Sequence, residues 1–229
     1  MIVAERKPFD EGYTFTSNHN KILVLGCGSC VTVCMAGGEK EVGILASQLE
    51  LAAQQKGDTL TLTEHTITRQ CDAEFFDEKT ARMIEESDAV ISMACGVGVQ
   101  FCVERFPSTI VYPALNTDFY GATLKQGVWV ERCAGCGQCV LADFGGICPI
   151  ARCSKSLLNG PCGGSAKGKC EVDPENIDCA WQLIYDRMKM LGRLDDLEKN
   201  QPVKDWSSSR DGGPRKIVRE DMLLEATET

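Results

Sequence analysis

The sequence predicts an α/β protein whose second half is a small, loop-rich domain. Segments typical of strands and of helices alternate between residues 21 and 130, and eight cysteines lie between Cys133 and Cys179. Alternation of this kind favours a Rossmann-like parallel sheet with right-handed crossovers. We therefore expect four parts: an N-terminal arm (1–20), an α/β domain with cysteines at its strand ends (21–130), a cysteine-rich domain (131–194) and an extended C-terminal tail (195–229).

The α/β domain begins with a predicted strand. Four aliphatic residues, Ile22 to Leu25, run into Gly-Cys-Gly, which is typical of a buried strand that ends in a tight turn. Apolar residues then recur at helical spacing, which predicts an amphipathic helix that stops at Gly57. The glycine-rich turn lacks the G-x-G-x-x-G pattern, so we do not expect it to bind a nucleotide.

Three more strands are predicted in the same domain. The segment TLTLTEHTI alternates as a strand does, and AVISMAC and TIVYPALN are short apolar runs. Between the first two of these, CDAEFFDEKTARMIEESD has a helical pattern.

Cysteines follow the ends of these predicted strands. Cys27, Cys71 and Cys95 each fall at or shortly after a strand end, and Cys30 and Cys34 lie just beyond the first strand. Because ligands of open parallel sheets bind at the carboxyl ends of the strands, we expect these cysteines to meet at one edge. Four of the five would hold a metal cluster, and one would be spare. The alternative is that they are small residues that fill tight turns.

Three other residues of the first half are expected to take no part in metal binding. Cys102 lies in an apolar stretch and is predicted to be structural. His19 and His65 stand apart from every group of cysteines and are predicted to be surface residues.

The cysteine-rich domain opens with C-x2-C-x2-C, formed by Cys133, Cys136 and Cys139. Two-residue spacers let three thiolates reach neighbouring corners of one iron–sulfur cubane, and in bacterial ferredoxins a further cysteine is followed by proline. Here Cys148 is followed by Pro149, although after a longer spacer. At four ligands per cubane, the eight cysteines predict two [4Fe-4S] clusters in a ferredoxin-like domain.

The division of these cysteines between two clusters stays open. The first cluster is expected to take the three cysteines of C-x2-C-x2-C and one late cysteine. The second is expected to draw on four others, with Cys179 able to complete either cluster: Cys148, Cys153, Cys162 and Cys170.

Zinc is the rival metal, since structural zinc sites readily take four cysteines. Such sites usually pair two C-x2-C motifs, which favours iron–sulfur clusters here. The local charge gives weak support to iron–sulfur clusters, because five basic residues and one acid lie between Arg132 and Lys169. Nearby cations stabilise anionic clusters, although a solvated basic face would look the same.

A helix and a charged tail complete the chain. Asp173 is predicted to cap a helix that begins at Pro174, and an apolar stripe from Ile177 to Leu191 is expected to pack in the core. The tail after Leu194 is predicted to be loosely structured by itself, either solvated or wrapped around a partner. It ends in a short amphipathic segment, KIVREDMLLEA.

Composition limits the compartment and the partners. The net charge of −9 disfavours nucleic-acid binding. The first residues lack the apolar stretch of a signal peptide, and no early apolar run is long enough to span a membrane. We therefore expect a cytoplasmic protein, in which clustered cysteines indicate metal or redox work rather than disulfides.

Two sets of motifs resemble a known family. CGQCVLADFGGICPIARCSKSLLNGPCGG and DCAWQLIYDRMKMLGRLDDL resemble the cysteine-rich C-terminal domain of methylenetetrahydrofolate reductases from acetogenic and related anaerobic bacteria. GCGSCVTVCMAGGEKEV, RQCD, ACGVGVQ and VYPALNTDFYG resemble the N-terminal domain of the small (V) subunit of the two-subunit reductase. The resemblance covers about residues 20–206.

The resemblance implies an iron–sulfur subunit that relays electrons to a partner. That partner is a TIM-barrel subunit that carries the flavin, FMN, and reduces methylene-tetrahydrofolate to methyl-tetrahydrofolate. This chain is too short for a barrel beside its cysteine-rich domain, and no catalytic, flavin or folate residue is assigned to it. An electron donor protein or complex is the second expected partner.

Two other functions are considered. The first is a zinc- or metal-stabilised scaffold subunit of the same complex, without electron relay. The second is a corrinoid protein, which is disfavoured because the chain has no D-x-H-x-x-G motif.

Overall fold

The computed structural model describes residues 1–223. Contacts divide the chain into two units, one from Met1 to Glu131 and one from Arg132 onward. The last residues of the amphipathic segment predicted at the end of the tail, 224–226, lie outside the described residues. No helix within the described residues combines the length and the apolar character needed to cross a membrane.

Unit 1 contains two sheets. Its elements, in chain order, are β1 (Ile2–Arg6), α1 (Phe9–Thr14), β2 (Lys21–Cys27), α2 (Cys30–Val33), α3 (Glu39–Lys56), β3 (Thr61–Ile67), α4 (Glu78–Glu85), β4 (Ala89–Met93), α5 (Gly96–Arg105), β5 (Ile110–Pro113), β6 (Leu115–Lys125) and β7 (Val128–Cys133). The larger sheet is parallel, with strand order β3-β2-β4-β5. The smaller sheet has the order β1-β6-β7, and β1 runs antiparallel to β6.

The parallel sheet confirms the predicted α/β class. Residues of its inner strand β2 alternate between two cores: Ile22 and Val24 pack with α3, whereas Leu23 and Leu25 pack with residues of α4 and α5. A strand covered on both faces needs apolar residues at every position, which explains the continuous aliphatic run. Helix α3 ends at Gly57, as predicted, because this residue adopts the left-handed conformation with φ of +74°.

Residues 1–20, expected as a polar arm, are part of unit 1. Strand β1 pairs with β6, and α1 places Tyr13 in the core beside α3. A five-residue strand among charged residues carries little pattern of its own, because its partner lies far along the chain. Helix α5 was also missed, since its glycines and β-branched residues have low helix propensity.

Unit 2 has little regular structure. Beyond the end of β7, its described part contains α6 (Pro149–Arg152), α7 (Ala180–Met190), several 3-10 turns and two isolated β-bridges. The predicted ferredoxin-like fold is not confirmed. Unit 2 has one small apolar core, formed by Phe144, Cys179, Trp181, Ile184 and Met188.

The predicted start of the C-terminal helix is wrong. Helix α7 begins at Ala180, with Cys179 at its N-cap, rather than beside Asp173. The Asp173 carboxylate accepts hydrogen bonds from the backbone N–H groups of Glu175 and Asn176, at 3.2 and 3.0 Å. Such local bonds form a turn that competes with a helix. The apolar stripe within α7 does pack in the core, as predicted.

The tail folds back onto unit 2 over the residues that follow Leu194. Short 3-10 turns form at Leu194–Glu198, Trp206–Ser208 and Arg210–Gly212. Lys204 and Ser209 are buried, so the expectation of a loosely structured tail is wrong for this stretch.

Candidate metal centres

Four cysteines lie at the carboxyl edge of the parallel sheet. Cys27 is the last residue of β2, Cys30 begins α2, Cys71 lies in the loop after β3, and Cys95 is the N-cap of α5 after β4. Cys71 interacts electrostatically with each of the other three. We call Cys27, Cys30, Cys71 and Cys95 the sheet-edge cysteines.

The chemistry of this set fits a bound metal group. Partial burial raises the pKa of the Cys71 thiol, and the neighbouring thiols of Cys27, Cys95 and Cys30 raise it further. The neighbours have this effect because adjacent thiolates repel one another. Metal ions bind thiolates and supply the positive charge that offsets this repulsion.

Cys34, the fifth cysteine predicted for this edge, packs as a buried residue. Its Sγ donates hydrogen bonds to the carbonyl oxygens of Ala4 and Val31, both at 3.5 Å. Burial raises the pKa of its thiol, and an interaction with Cys30 makes a smaller contribution in the same direction. Because Cys34 is buried against β1 and α2 and is not among the thiols that interact with Cys71, it is the candidate for the spare cysteine.

Sequence reasoning missed Gln70, which fixes the position of the loop that carries Cys71. Its side chain is fully buried. The Nε2 group donates to the carbonyl oxygens of Leu25 and Gly26 at 2.8 and 3.1 Å, and Oε1 accepts from Ser92 Oγ at 2.7 Å. Gln70 thereby ties the loop to both β2 and β4. Its only signal in the sequence is its place directly before Cys71.

Replacing Gln70 with leucine is expected to destabilise unit 1 by roughly 1–3 kcal/mol, because it leaves buried polar groups without their partner. The same change at Gln54, an exposed residue of α3, is the matched control and should have little effect. Thermal or denaturant unfolding measures both variants. Equal stabilities of the two variants would show that the Gln70 network contributes nothing.

The remaining candidates of unit 1 have other partners. Cys102 is fully buried among apolar side chains, and burial raises its pKa to about 11, in agreement with a structural role. The two histidines are half-buried rather than surface residues: His19 Nε2 lies 3.1 Å from the Tyr112 hydroxyl, and His65 Nε2 lies 3.1 Å from the Thr80 hydroxyl. Burial lowers the pKa of His65.

In unit 2, backbone N–H groups point at two of the predicted ligands. Gly135 N–H donates to Cys133 Sγ, and Ala151 N–H donates to Cys148 Sγ, both at 3.4 Å. Hydrogen bonds of this kind stabilise metal-bound thiolates and tune cluster potentials. Arg152 interacts electrostatically with Cys148 and also with Arg132, the residue before Cys133.

Four further cysteines of unit 2 line one small cavity of about 20 Å³: Cys153, Cys162, Cys170 and Cys179. Ser154 Oγ lies 3.4 Å from Cys170 Sγ, and this hydrogen bond, helped by backbone N–H groups, lowers the pKa of the Cys170 thiol. A lowered pKa favours the thiolate, which is the form that binds metals. This grouping differs from the expected one because it leaves out Cys148, whereas Cys179 was expected to be able to complete either cluster.

The basic excess expected around these cysteines is partly neutralised. Lys155 forms an ion pair with Glu171, and Lys169 forms one with Asp178 at 2.7 Å. Both acids follow Lys169 in the sequence and so lie outside the basic segment from Arg132 to Lys169.

No group of three or more His, Cys, Asp or Glu side chains within residues 1–223 forms a ready-made site for a single metal ion. The candidate centres are therefore defined by which cysteines are neighbours and by the groups that surround them.

The fold and these cysteines define the class of the protein: a two-unit α/β chain with thiol-rich candidate metal centres. Residues 112–207 match the family described as methylene-tetrahydrofolate reductase C terminal. The matched stretch runs from β5 to the turn at Trp206–Ser208. Neither the curated proteins nor the solved structures gave a match.

Proposed function

We propose that this chain is an iron–sulfur electron-transfer subunit of a complex related to methylenetetrahydrofolate reductase. The observation that carries the proposal is the placement of the four sheet-edge cysteines at three neighbouring strand ends, where Cys71 interacts electrostatically with the other three. The family match over residues 112–207 supports the link to the reductase. When bound, an iron–sulfur cluster supplies one-electron transfer.

The residues of the chain have distinct tasks in this proposal. The sheet-edge cysteines hold one cluster, and Gln70 keeps the Cys71 loop against the sheet. The cysteines of C-x2-C-x2-C hold a second cluster together with Cys148, the cysteine left outside the cavity. Backbone N–H groups of Gly135 and Ala151 stabilise these thiolates. The four cavity cysteines form the third centre.

The partner is inferred from the chemistry of the reaction. Reduction of a methylene group needs a hydride equivalent, which a flavin supplies, whereas clusters pass electrons singly. We therefore assign the flavin and the folate to a TIM-barrel partner subunit, and the source of electrons to a separate donor protein. The role of this chain is to connect the two.

The relay is tested with the isolated flavin subunit. We expect it to reduce methylene-tetrahydrofolate with an artificial dye as electron donor but not with the natural carrier, and we expect this chain to restore the natural reaction. A Cys71→Ser variant should restore much less activity, and Cys34→Ala is its matched control. If Cys71→Ser restores the reaction as well as the wild type does, the sheet-edge cluster is not part of the relay.

A second candidate function, a zinc-stabilised scaffold, is favoured by one observation. The cavity between Cys153, Cys162, Cys170 and Cys179 is about 20 Å³, which is room for about one water-sized atom. Four thiolates around a single ion form a structural zinc site. If the wild-type chain contains zinc and the Cys170→Ser variant loses it, zinc is bound at this centre. Loss of about four irons would place a cubane there.

A further inference from the structure

The tail carries a buried lysine. Lys204 keeps only 6% of its surface exposed, and its Nζ donates to Gln138 Oε1 at 3.4 Å. Gln138 lies between Cys136 and Cys139, inside the C-x2-C-x2-C loop. The ammonium group is therefore held against a loop that is proposed to bind a cluster.

Two more residues fix the tail to the same loop. Ser208 Oγ donates to the carbonyl oxygen of Cys136 at 3.1 Å. Arg215 Nη1 donates to the carbonyl oxygens of Gly135 and Ser208, both at 2.9 Å. Gly137 has a φ of +80°, and a Cβ atom there would lie 2.1 Å from the Ser208 oxygen. The tail and the loop are thus closely fitted, and a side chain at position 137 would push them apart.

A buried ammonium needs compensation, because removal of a charge from water is costly unless an opposite charge or hydrogen bonds replace the water. Within the described residues, Lys204 forms no ion pair with a carboxylate. Its neighbours are the Gln138 amide and the Trp206 ring, whose centroid lies 5.4 Å from Nζ. The adjacent Asp205 carboxylate accepts from the N–H of Ser207, and the charge of Lys204 helps to lower the pKa of this carboxyl although the two groups form no ion pair.

We propose that Lys204 compensates the negative charge of a cluster bound at the C-x2-C-x2-C loop, and that the docked tail places it there. The inference rests on the proposed function, since it requires a redox-active cluster at this loop. A nearby positive charge favours the reduced, more negative state of a cluster and so raises its reduction potential. Lys155 and Lys169, which lie nearer in sequence, are engaged in ion pairs.

The test is a redox titration of the full chain, purified without oxygen and followed by electron paramagnetic resonance. Lys204→Met keeps the apolar stem without the charge, and Lys204→Arg keeps the charge. Lys199→Met is the matched control, because Lys199 lies in the same tail and forms only a surface ion pair with Asp196. At a fixed potential, Lys204→Met should lower the reduced-to-oxidised ratio of one cluster about tenfold, which corresponds to about 59 mV for one electron. The two other variants should stay near the wild type.

Each result of the titration and of the iron measurement either supports or overturns the inference. An unchanged potential in Lys204→Met, with the iron content of the wild type, overturns it and leaves the proposed function standing. If Lys204→Met loses iron, retention in Lys204→Arg supports charge compensation, whereas loss in both variants shows a packing role and overturns it. A wild-type chain with zinc and no reducible cluster overturns the proposed function and this inference together.

Discussion

Replacing Cys71 with serine is expected to remove about four iron atoms per chain, the content of one cubane, and to leave the remaining iron in place. Cys71 is the cysteine that interacts with all three other sheet-edge cysteines, so its loss removes a corner ligand. Its side chain lies in an exposed loop, and the change should therefore disturb the fold little. Iron and acid-labile sulfide, measured after purification without oxygen, report the result.

Cys34→Ala is the matched control for this experiment. The Cys34 thiol is buried and donates to backbone oxygens, so its removal should cost some stability without a loss of iron. If Cys34→Ala loses four irons and Cys71→Ser loses none, the assignment of the spare cysteine is wrong. If neither variant loses iron, no cluster is bound at the sheet edge.

Removal of the metals with a chelator is expected to unfold unit 2 and to leave the parallel sheet of unit 1 folded. The core of unit 2 consists of five buried residues around α7, too few for a domain of this size without further support. Metal binding to thiolates contributes on the order of 10 kcal/mol to the folding of small metal-stabilised domains. Unit 1 has three separate apolar clusters and does not depend on such support.

Amide hydrogen exchange measures both units in the same sample. Protection should disappear in α7 (Ala180–Met190) and persist in β2 and β4, so that unit 1 serves as the internal control. Protection in α7 should return when the metals and sulfide are restored. Full protection of α7 in the metal-free chain would contradict a structural role for metal in unit 2.

The strands of the parallel sheet could be predicted because their signal is local. Strand β2 is buried on both faces, so every residue from Ile22 to Leu25 is aliphatic. Strand β1 gave no such signal, because its pairing with β6 is fixed by residues more than a hundred positions away. Asp173 gave a false signal for a helix start, because a residue that caps helices well also forms local turns.

The sheet-edge site was predictable in part. Cysteines placed just after strand ends are brought together by the topology of any parallel sheet. The spacing of Cys27, Cys30 and Cys34 does not indicate which of them is left without a role as a metal ligand. That distinction depends on the carbonyl oxygen of Ala4, which belongs to the strand that was not predicted. The role of Gln70 could not be predicted for a similar reason, because its hydrogen-bond partners lie in β2 and β4 rather than in its own segment.

The grouping of cysteines in unit 2 follows from loop geometry, which spacing alone does not encode. Cys179 joins the cavity because it caps α7, a helix that begins later than its sequence pattern indicates. Lys204 has no motif around it, and its burial depends on the fit between Gly137 and the tail.

The most direct test of the electron-transfer function is the metal content of the full chain, purified without oxygen, combined with electron paramagnetic resonance after reduction with dithionite. Two cubanes, at the sheet edge and at the C-x2-C-x2-C loop, predict at least about eight iron atoms with as many sulfides. They also predict a paramagnetic signal that appears on reduction. A chain that holds zinc as its only metal and gives no signal on reduction would contradict the electron-transfer function.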